Sequence, residues 1–302
     1  MSFALLFPGQ GAQAPGLLHS LPQFEAVHAT LQEASEHLGF DVLQIDTNST
    51  LAEPVASQLS LLIAGIAFTR TLHAANLVPS AAAGMSVGAF AAAVAAGSLD
   101  LPAALRFVRR RAELMHEVFP AGYGMAVIEG LREPALQALL GHTSLAIANF
   151  NAPLQFVVSG ELAQLNQLLP LAVQEGAHTA ALLRMGTASH TPMLASAAEE
   201  LLRFAQDIPI AVPRIPIFSN RNARPLMTAA AVREDLAFNM AHPVRWHDVQ
   251  SALHAFDPAL LLEAPPGHTL THLAQNVFRD TQALAAGDLR WDVLMRAAQR
   301  AG

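Results

Sequence analysis

The stretch Leu77 to Ala96, LVPSAAAGMSVGAFAAAVAA, decides the fold. Leu77 to Ala83 predicts a short buried strand, and the Ala-rich segment Ala89 to Ala96 predicts a helix. Between them lies Gly84-Met85-Ser86-Val87-Gly88, the pattern Gly-x-Ser-x-Gly. In this turn the serine hydroxyl projects from the end of a strand, and the next backbone N–H points at a developing oxyanion. A tight turn in a core of small residues also explains the pattern.

The segments around this turn continue the alternation of strand, glycine turn and helix that is typical of a parallel α/β domain. Predicted strands are Phe3 to Phe7, a run near Ile215 to Phe218, and a final one near Leu260 to Glu263. Predicted helices are residues 54–76, Leu101 to Val118, and a segment after Pro192.

The middle of the chain has a different order of predicted strands and helices. Its apolar runs predict the order βαββαβ, beginning at Gly124 and ending at Arg184, which is the ferredoxin-like unit. We therefore expect a small ferredoxin-like domain at 122–187, inserted into a large α/β domain formed by 1–121 and 188–302.

Composition excludes several classes of protein. Hydrophobic residues make up 52% of the 302 residues and charged residues 14%, which indicates a well-buried globular chain. The net charge is −7 and no basic stripe is present, so neither nucleic acid nor an anionic membrane is an expected partner. Cysteine is absent and the 13 histidines lack close metal-ligand spacing, so we predict no disulfide and no metal site. The amino terminus lacks the pattern of a signal peptide, and we expect a cytoplasmic protein.

One uncharged stretch runs from Arg70 to Asp100. Asn76, Pro79 and its glycines interrupt it, so it predicts buried globular structure rather than a membrane span.

Several segments together resemble the malonyl-CoA:acyl carrier protein transacylase family. The resemblance covers nearly the whole chain, in order, and implies a hydrolase-like α/β domain with a ferredoxin-like insert. The segments that carry it are Phe7-Pro8-Gly9-Gln10-Gly11-Ala12-Gln13, the serine turn, Arg111-Ala112-Glu113-Leu114-Met115, Asn149-Phe150-Asn151-Ala152-Pro153, Val157-Val158-Ser159-Gly160, Ala188-Ser189-His190 and Pro243-Val244-Arg245-Trp246.

The resemblance implies a role for individual residues. Ser86 matches the nucleophile and His190 its general base. Arg111 matches the residue that binds the malonyl carboxylate, and Asn239 falls where the family orients its histidine with a main-chain carbonyl.

The family's two backbone oxyanion donors correspond to Gln10 and Val87. The implied substrate is malonyl-CoA, with no bound cofactor, and the implied partner is an acyl carrier protein.

This chain departs from the family at three points: Met85 replaces a histidine, Ala89-Phe90 replaces Glu-Tyr, and Glu263-Ala264-Pro265-Pro266-Gly267 replaces Glu-Val-Gly-Pro-Gly. The run from Gly88 to Gly97 is more similar to the transacylase (epsilon) subunit of malonate decarboxylase than to the fatty-acid synthesis enzyme. We therefore expect the carrier subunit of malonate decarboxylase as the partner.

The sequence pattern singles out Arg111 independently of the family resemblance. On a helical wheel of 101–118 it lies within the apolar arc, whereas Arg109 and Arg110 lie on the polar face. A buried guanidinium needs an anion, which a substrate carboxylate or an internal Asp or Glu would supply.

His190 precedes Thr191-Pro192, a predicted helix start, and so lies on a loop suited either to catalysis or to capping. Asn149 and Asn151 are possible substrate contacts, although turn formation explains them equally well.

Three other functions compete with acyl transfer. Gly9-x-Gly11-x-x-Ala14 formally matches a dinucleotide fingerprint, but Pro15 and Gly16 follow where a helix should begin. A serine hydrolase would place its histidine late, at His268 or His272 with Asp257 before it. The third competing function is that of an inactive scaffold homologue, which the departures at Met85 and Pro265-Pro266 suggest.

Overall fold

The computed structural model describes residues 2–185, 187–277 and 281–301. The strands are β1 (Phe3–Phe7), β2 (Ala81–Gly84), β3 (Tyr123–Glu129), β4 (Ala146–Ala152), β5 (Gln155–Glu161), β6 (Thr179–Leu182), β7 (Leu260–Glu263) and β8 (Gln282–Ala285). The helices are α1 (Glu25–Leu38), α2 (Pro54–Ala74), α3 (Gly88–Ala95), α4 (Leu101–Val118), α5 (Glu133–Leu140), α6 (Leu162–Gln174), α7 (Ala195–Phe204), α8 (Ala229–Phe238), α9 (Trp246–His254), α10 (Thr269–Val277) and α11 (Trp291–Ala301).

The main sheet is parallel, with strand order β2-β1-β7-β8. Every residue of β1, β2 and β7 is buried, because helices cover both faces of the sheet. Leu59 of α2 and Phe107 of α4 pack on one face, and Trp246 of α9 and Leu273 of α10 pack on the other. The carboxyl ends of β1 and β2, at Phe7 and Gly84, lie side by side and carry the two glycine turns of the sequence.

The second sheet is antiparallel, with order β4-β5-β3-β6, and is built from the βαββαβ segment. Its two faces alternate along β3: Ala126 and Ile128 contact the helices α5 and α6, whereas Met125 and Val127 face the opposite way, toward a cavity at the end of the main sheet. The predicted fold class, a hydrolase-like parallel part with a ferredoxin-like insert, is confirmed. The domain limits at 121/122 and 187/188 stay a prediction.

Two predicted strands need correction. The run near Ile215 to Phe218 makes only two isolated bridges among the described residues, from Ile217 to Ala82 and from Phe218 to Pro225, because Pro213 and Pro216 cannot donate backbone hydrogen bonds. Leu260–Glu263 is not the final strand, since β8 pairs beyond it at the sheet edge. The short sequence Gln282-Ala283-Leu284-Ala285 contains no β-branched residue and gave no strand signal.

One described helix, α2, is long and apolar enough to cross a membrane by length and composition, and 89% of its most apolar window is buried inside the protein. Its side chains pack in the core around the main sheet. The uncharged stretch 71–99 divides into the end of α2, β2 and α3.

Candidate active site

Ser86 follows β2 directly and has a left-handed backbone, with φ of +54°. Gly84 and Gly88, two residues before and after the serine, allow backbone segments to approach more closely than a Cβ would permit. A Cβ at Gly84 would lie 2.1 Å from the backbone carbon of Gly88, and one at Gly88 would lie 2.2 Å from the carbonyl oxygen of Phe7. The strain of the turn therefore resides in the serine itself, as is common at functional sites.

His190 is brought to Ser86 from a distant part of the chain. It follows the last strand of the second sheet, has a left-handed φ of +58°, and is buried. Its Nε2 lies 2.8 Å from Ser86 Oγ. Thr191 begins the next turn by accepting a hydrogen bond from the Met193 N–H, which explains the loop position expected from the sequence.

Two carbonyl groups fix the tautomer of His190. Its Nδ1 lies 2.8 Å from the carbonyl oxygen of Asn239 and 3.0 Å from that of His242. Since carbonyl oxygens only accept, Nδ1 carries the proton and donates it. Burial, with a smaller contribution from the Arg111 cation, lowers the pKa of His190 to about 4. The ring is therefore neutral at pH 7, and Nε2 offers a lone pair to the Ser86 hydroxyl.

Arg111 is fully buried beside the serine. Its Nη2 donates to Ser86 Oγ at 3.1 Å, its Nη1 donates to Gln58 Oε1 at 2.5 Å, and its buried Nε has no partner. Burial lowers the pKa of Arg111 to about 9, so the guanidinium still carries its charge at neutral pH. Within the described ranges, no Asp or Glu pairs with it.

The neighbouring arginines behave differently. Arg109 pairs with Glu113 at 3.0 Å, and Arg110 pairs with Glu117 of the same helix and with Glu200 of α7. Arg111 thus points inward, as the helical wheel predicts, and is left without a carboxylate.

The loop after β1 lies against the serine turn. A Cβ at Gly9 would be 2.9 Å from the Met85 carbonyl oxygen and 3.5 Å from Ser86 Cβ. In the part of the chain that the structure describes, neither the Gln10 N–H nor the Val87 N–H donates a hydrogen bond to protein. Their role as the two oxyanion donors stays a prediction.

Gln58, which the sequence analysis missed, connects these parts. Its Oε1 accepts from Arg111, and its Nε2 donates to the side-chain oxygen of Gln10 at 3.1 Å. It is buried in the apolar helix α2, where a single glutamine resembles an ordinary core residue. Its position four residues after Pro54, in the second turn of this helix, carries no local signal of function.

Ser86 and His190 line a cavity of about 250 Å³ between the two sheets. Asn149 and Asn151 line it from β4; both are buried, and Asn151 Oδ1 has no partner. The remaining wall is largely apolar and is formed by Met85, Met125, Val127, Val157, Leu183 and Met185.

The competing sites do not form around Ser86. After Gly11 the chain continues in turns, and the first helix begins only at Glu25, so no helix terminus is available for a dinucleotide. His268 and His272 are exposed and contact each other, with ring centroids 5.4 Å apart. No group of three or more His, Asp or Glu in the described ranges could hold a metal ion.

A parallel sheet that presents a serine to a neutral, carbonyl-oriented histidine, beside unoccupied backbone donors, defines a serine-dependent acyl-transfer enzyme. A model of the acyl transferase domain matches residues 4–295. The chain belongs to the acyl transferase domain family.

Relatives and solved structures agree with this family. The malonyl CoA-acyl carrier protein transacylase of Haemophilus influenzae is 32% identical over 299 residues, covering 95% of this chain and 96% of that protein. The structure of the enzyme of that name from Coxiella burnetii has a TM-score of 0.93 at 29% identity, covering 100% of this chain and 98% of that one. The structure of a type II polyketide acyl-carrier protein in complex with its malonyl-transacylase has a TM-score of 0.92 at 30% identity, covering 100% of this chain and 100% of that one.

Proposed function

We propose that this enzyme transfers a malonyl group from malonyl-CoA to the pantetheine-type thiol of an acyl carrier protein, through a malonyl ester on Ser86. The observation that carries the proposal is Arg111, a buried cation 3.1 Å from Ser86 Oγ that pairs with no carboxylate among the described residues. An acyl group that ends in a carboxylate supplies the missing anion, whereas acetyl does not.

In the first step, His190 Nε2 removes the proton from Ser86 Oγ as the oxygen attacks the thioester carbonyl. The N–H groups of Gln10 and Val87 hold the resulting oxyanion, each contributing roughly 3–4 kcal/mol in comparable sites. The carbonyls of Asn239 and His242 stabilise the imidazolium through Nδ1, so no acidic side chain is needed.

As the tetrahedral intermediate collapses, the C–S bond breaks and CoA leaves with the proton from His190. The carrier thiol then gives its proton to His190 and attacks the Ser86 ester, and the serine oxygen departs with that proton. The two half-reactions share one site, so the kinetics are ping-pong.

Arg111 has a second consequence for the bound malonyl group. Its guanidinium stabilises the carboxylate in its charged form, and loss of CO₂ would remove that interaction. Pairing therefore favours intact transfer over decarboxylation.

We propose the carrier subunit of malonate decarboxylase as the physiological acceptor, and the cytoplasm as the location. Similarity of the run from Gly88 to Gly97 to that decarboxylase's transacylase subunit supports this choice of acceptor. The alternative is a fatty-acid or polyketide carrier. Transfer rates to purified carriers of each kind, at equal concentration, decide between them: a preference for the fatty-acid carrier contradicts the decarboxylase assignment.

The malonyl preference is tested with Arg111→Ala. We expect malonyl transfer to fall by about 2–3 kcal/mol, or roughly 30- to 150-fold, and acetyl transfer to rise, because the charge-assisted pair is lost. The measurement is kcat/KM for malonyl-CoA and acetyl-CoA. Arg110→Ala is the matched control, since Arg110 is the neighbour of Arg111 on α4 and pairs with Glu117 of the same helix and Glu200 of α7 instead of facing Ser86. An unchanged malonyl-to-acetyl ratio in Arg111→Ala would place the carboxylate site elsewhere.

A further inference from the structure

Asn220 makes two hydrogen bonds across the serine turn. We propose that the Asn220 side chain is a positioning residue that sets the geometry of Ser86, and that Asp235 holds Asn220 in place. The inference rests on the proposed acyl-serine chemistry and adds a residue that acts through the nucleophile rather than on the substrate.

The amide of Asn220 spans the strained residue. Its Oδ1 accepts from the Ser86 N–H at 2.8 Å, and its Nδ2 donates to the carbonyl oxygen of Gly84, also at 2.8 Å. Asn220 is 2% exposed, so these bonds do not compete with bulk water. One bond requires an acceptor and the other a donor, a combination that a neutral amide provides and a carboxylate or an aliphatic side chain does not.

This pair of bonds bears directly on the reacting groups. Fixing the amide of Ser86 restrains the left-handed φ of +54° from which Oγ reaches His190. It also occupies the Ser86 N–H, so that the next N–H along the chain, that of Val87, is the one left for an oxyanion.

The backbone of Asn220 is anchored in turn. The buried carboxyl group of Asp235 in α8 lies beside the Asn220 backbone and the Ser219 hydroxyl, and the Asn220 carbonyl accepts from the Arg245 N–H at 2.8 Å. Asp235 lies one helical turn before Asn239, whose carbonyl orients His190. The residue beside Asn220 therefore lies in the last part of α8, and the carbonyl that orients His190 belongs to the residue that directly follows this helix.

The test compares Asn220→Ala with Asn222→Ala, an exposed asparagine in the same loop whose side chain only accepts from the Arg224 N–H. The rate of malonyl-enzyme formation is measured by rapid quench over a range of malonyl-CoA concentrations, after the fold is checked by circular dichroism. We expect Asn220→Ala to lower the maximal acylation rate about 10²-fold without changing its half-saturating concentration, since displacing reacting atoms by about 1 Å has an effect of this size. Asn222→Ala should match the wild type.

Asn220→Asp gives a second readout that remains decisive if Asn220→Ala does not fold. A protonated carboxyl can donate to Gly84 and accept from Ser86, but an ionised one loses the donor and repels the carbonyl. Relative to the wild type in the same buffers, the acylation rate of this variant should therefore rise as the pH falls from about 8 to about 5. The wild type is the reference because burial raises the pKa of Asp235 to about 6, within the same range. The titratable and charged groups that surround the position are Asp235 of α8, Arg221 of its own loop, His242 and Arg245 after α8, His190, and Arg111 of α4.

The outcomes separate the two proposals. A folded Asn220→Ala that acylates at the wild-type rate, or an Asn220→Asp rate that is flat or falls with falling pH, overturns the positioning role. If the wild-type protein itself forms no malonyl adduct, the proposed function fails, and this inference fails with it.

Discussion

The two walls of the cavity differ in what their side chains do: one holds the reacting atoms, and the other lines the space for the substrate. On the main-sheet side, the Ser86 N–H, Ser86 Oγ and His190 Nδ1 all have protein partners. On the second-sheet side, the polar lining residues are Asn149, Asn151 and Gln155, and the buried Asn151 Oδ1 has no partner among the described residues. The reacting atoms are thus oriented before substrate arrives, whereas the opposite wall retains an acceptor for it. We expect changes on the first wall to alter the rate of chemistry and changes on the second to alter binding.

The largest effect should come from His190. Replacing it with Asn, which tolerates the left-handed backbone at this position, should lower kcat about 10³-fold because the general base is lost. The measurement is steady-state malonyl transfer to a carrier protein. His272→Ala, an exposed histidine, is the control and also tests the serine-hydrolase alternative. Loss of activity in His272→Ala with full activity in His190→Asn would favour that alternative.

A smaller and different effect is expected from Asn151→Ala. Removing one cavity hydrogen bond should raise KM about fivefold, equivalent to about 1 kcal/mol, and leave kcat unchanged. The readout is the separate determination of both constants for malonyl-CoA. A fall in kcat with constant KM would show that the second-sheet wall acts on the transition state, and would remove the distinction between the two walls.

The smallest effect concerns pH. Because the neutral form of His190 is the active one and its pKa is lowered to about 4, protonation begins well below neutrality. Lowering the pH from about 7 to about 5 should reduce the acylation rate by only about 10%, whereas an unperturbed histidine with pKa of about 6.5 would lose more than about 90%. Acylation rates in buffers across this range, with circular dichroism to confirm folding, separate the two. A midpoint near pH 6.5 would mean that His190 is not buried as described.

Local patterns predicted the features whose residues are close together in the sequence. The turn around Ser86 is specified by consecutive residues. The apolar periodicity of 101–118 is enough to predict that Arg111 points inward. The βαββαβ order likewise follows from local runs of apolar residues. These features depend on neighbours in sequence, which the pattern of residues reports directly.

The parts that sequence reasoning missed depend on contacts between distant segments. Asn220 lies 134 residues from Ser86, and Gln58 lies 53 residues from Arg111. The second carbonyl that contacts His190 Nδ1 belongs to the backbone of His242, so the type of side chain at that position does not predict it. Strand β8 was missed for a related reason, since pairing with β7 rather than strand propensity defines it.

The central claim is a malonyl ester on Ser86, and mass measurement of the intact protein tests it most directly. After brief incubation with malonyl-CoA, the wild-type protein should gain one malonyl group, located on the peptide that contains Ser86, and Ser86→Ala should gain none. A scaffold homologue would show no added mass in the wild type. That result, or a malonyl group retained in Ser86→Ala, would contradict the account.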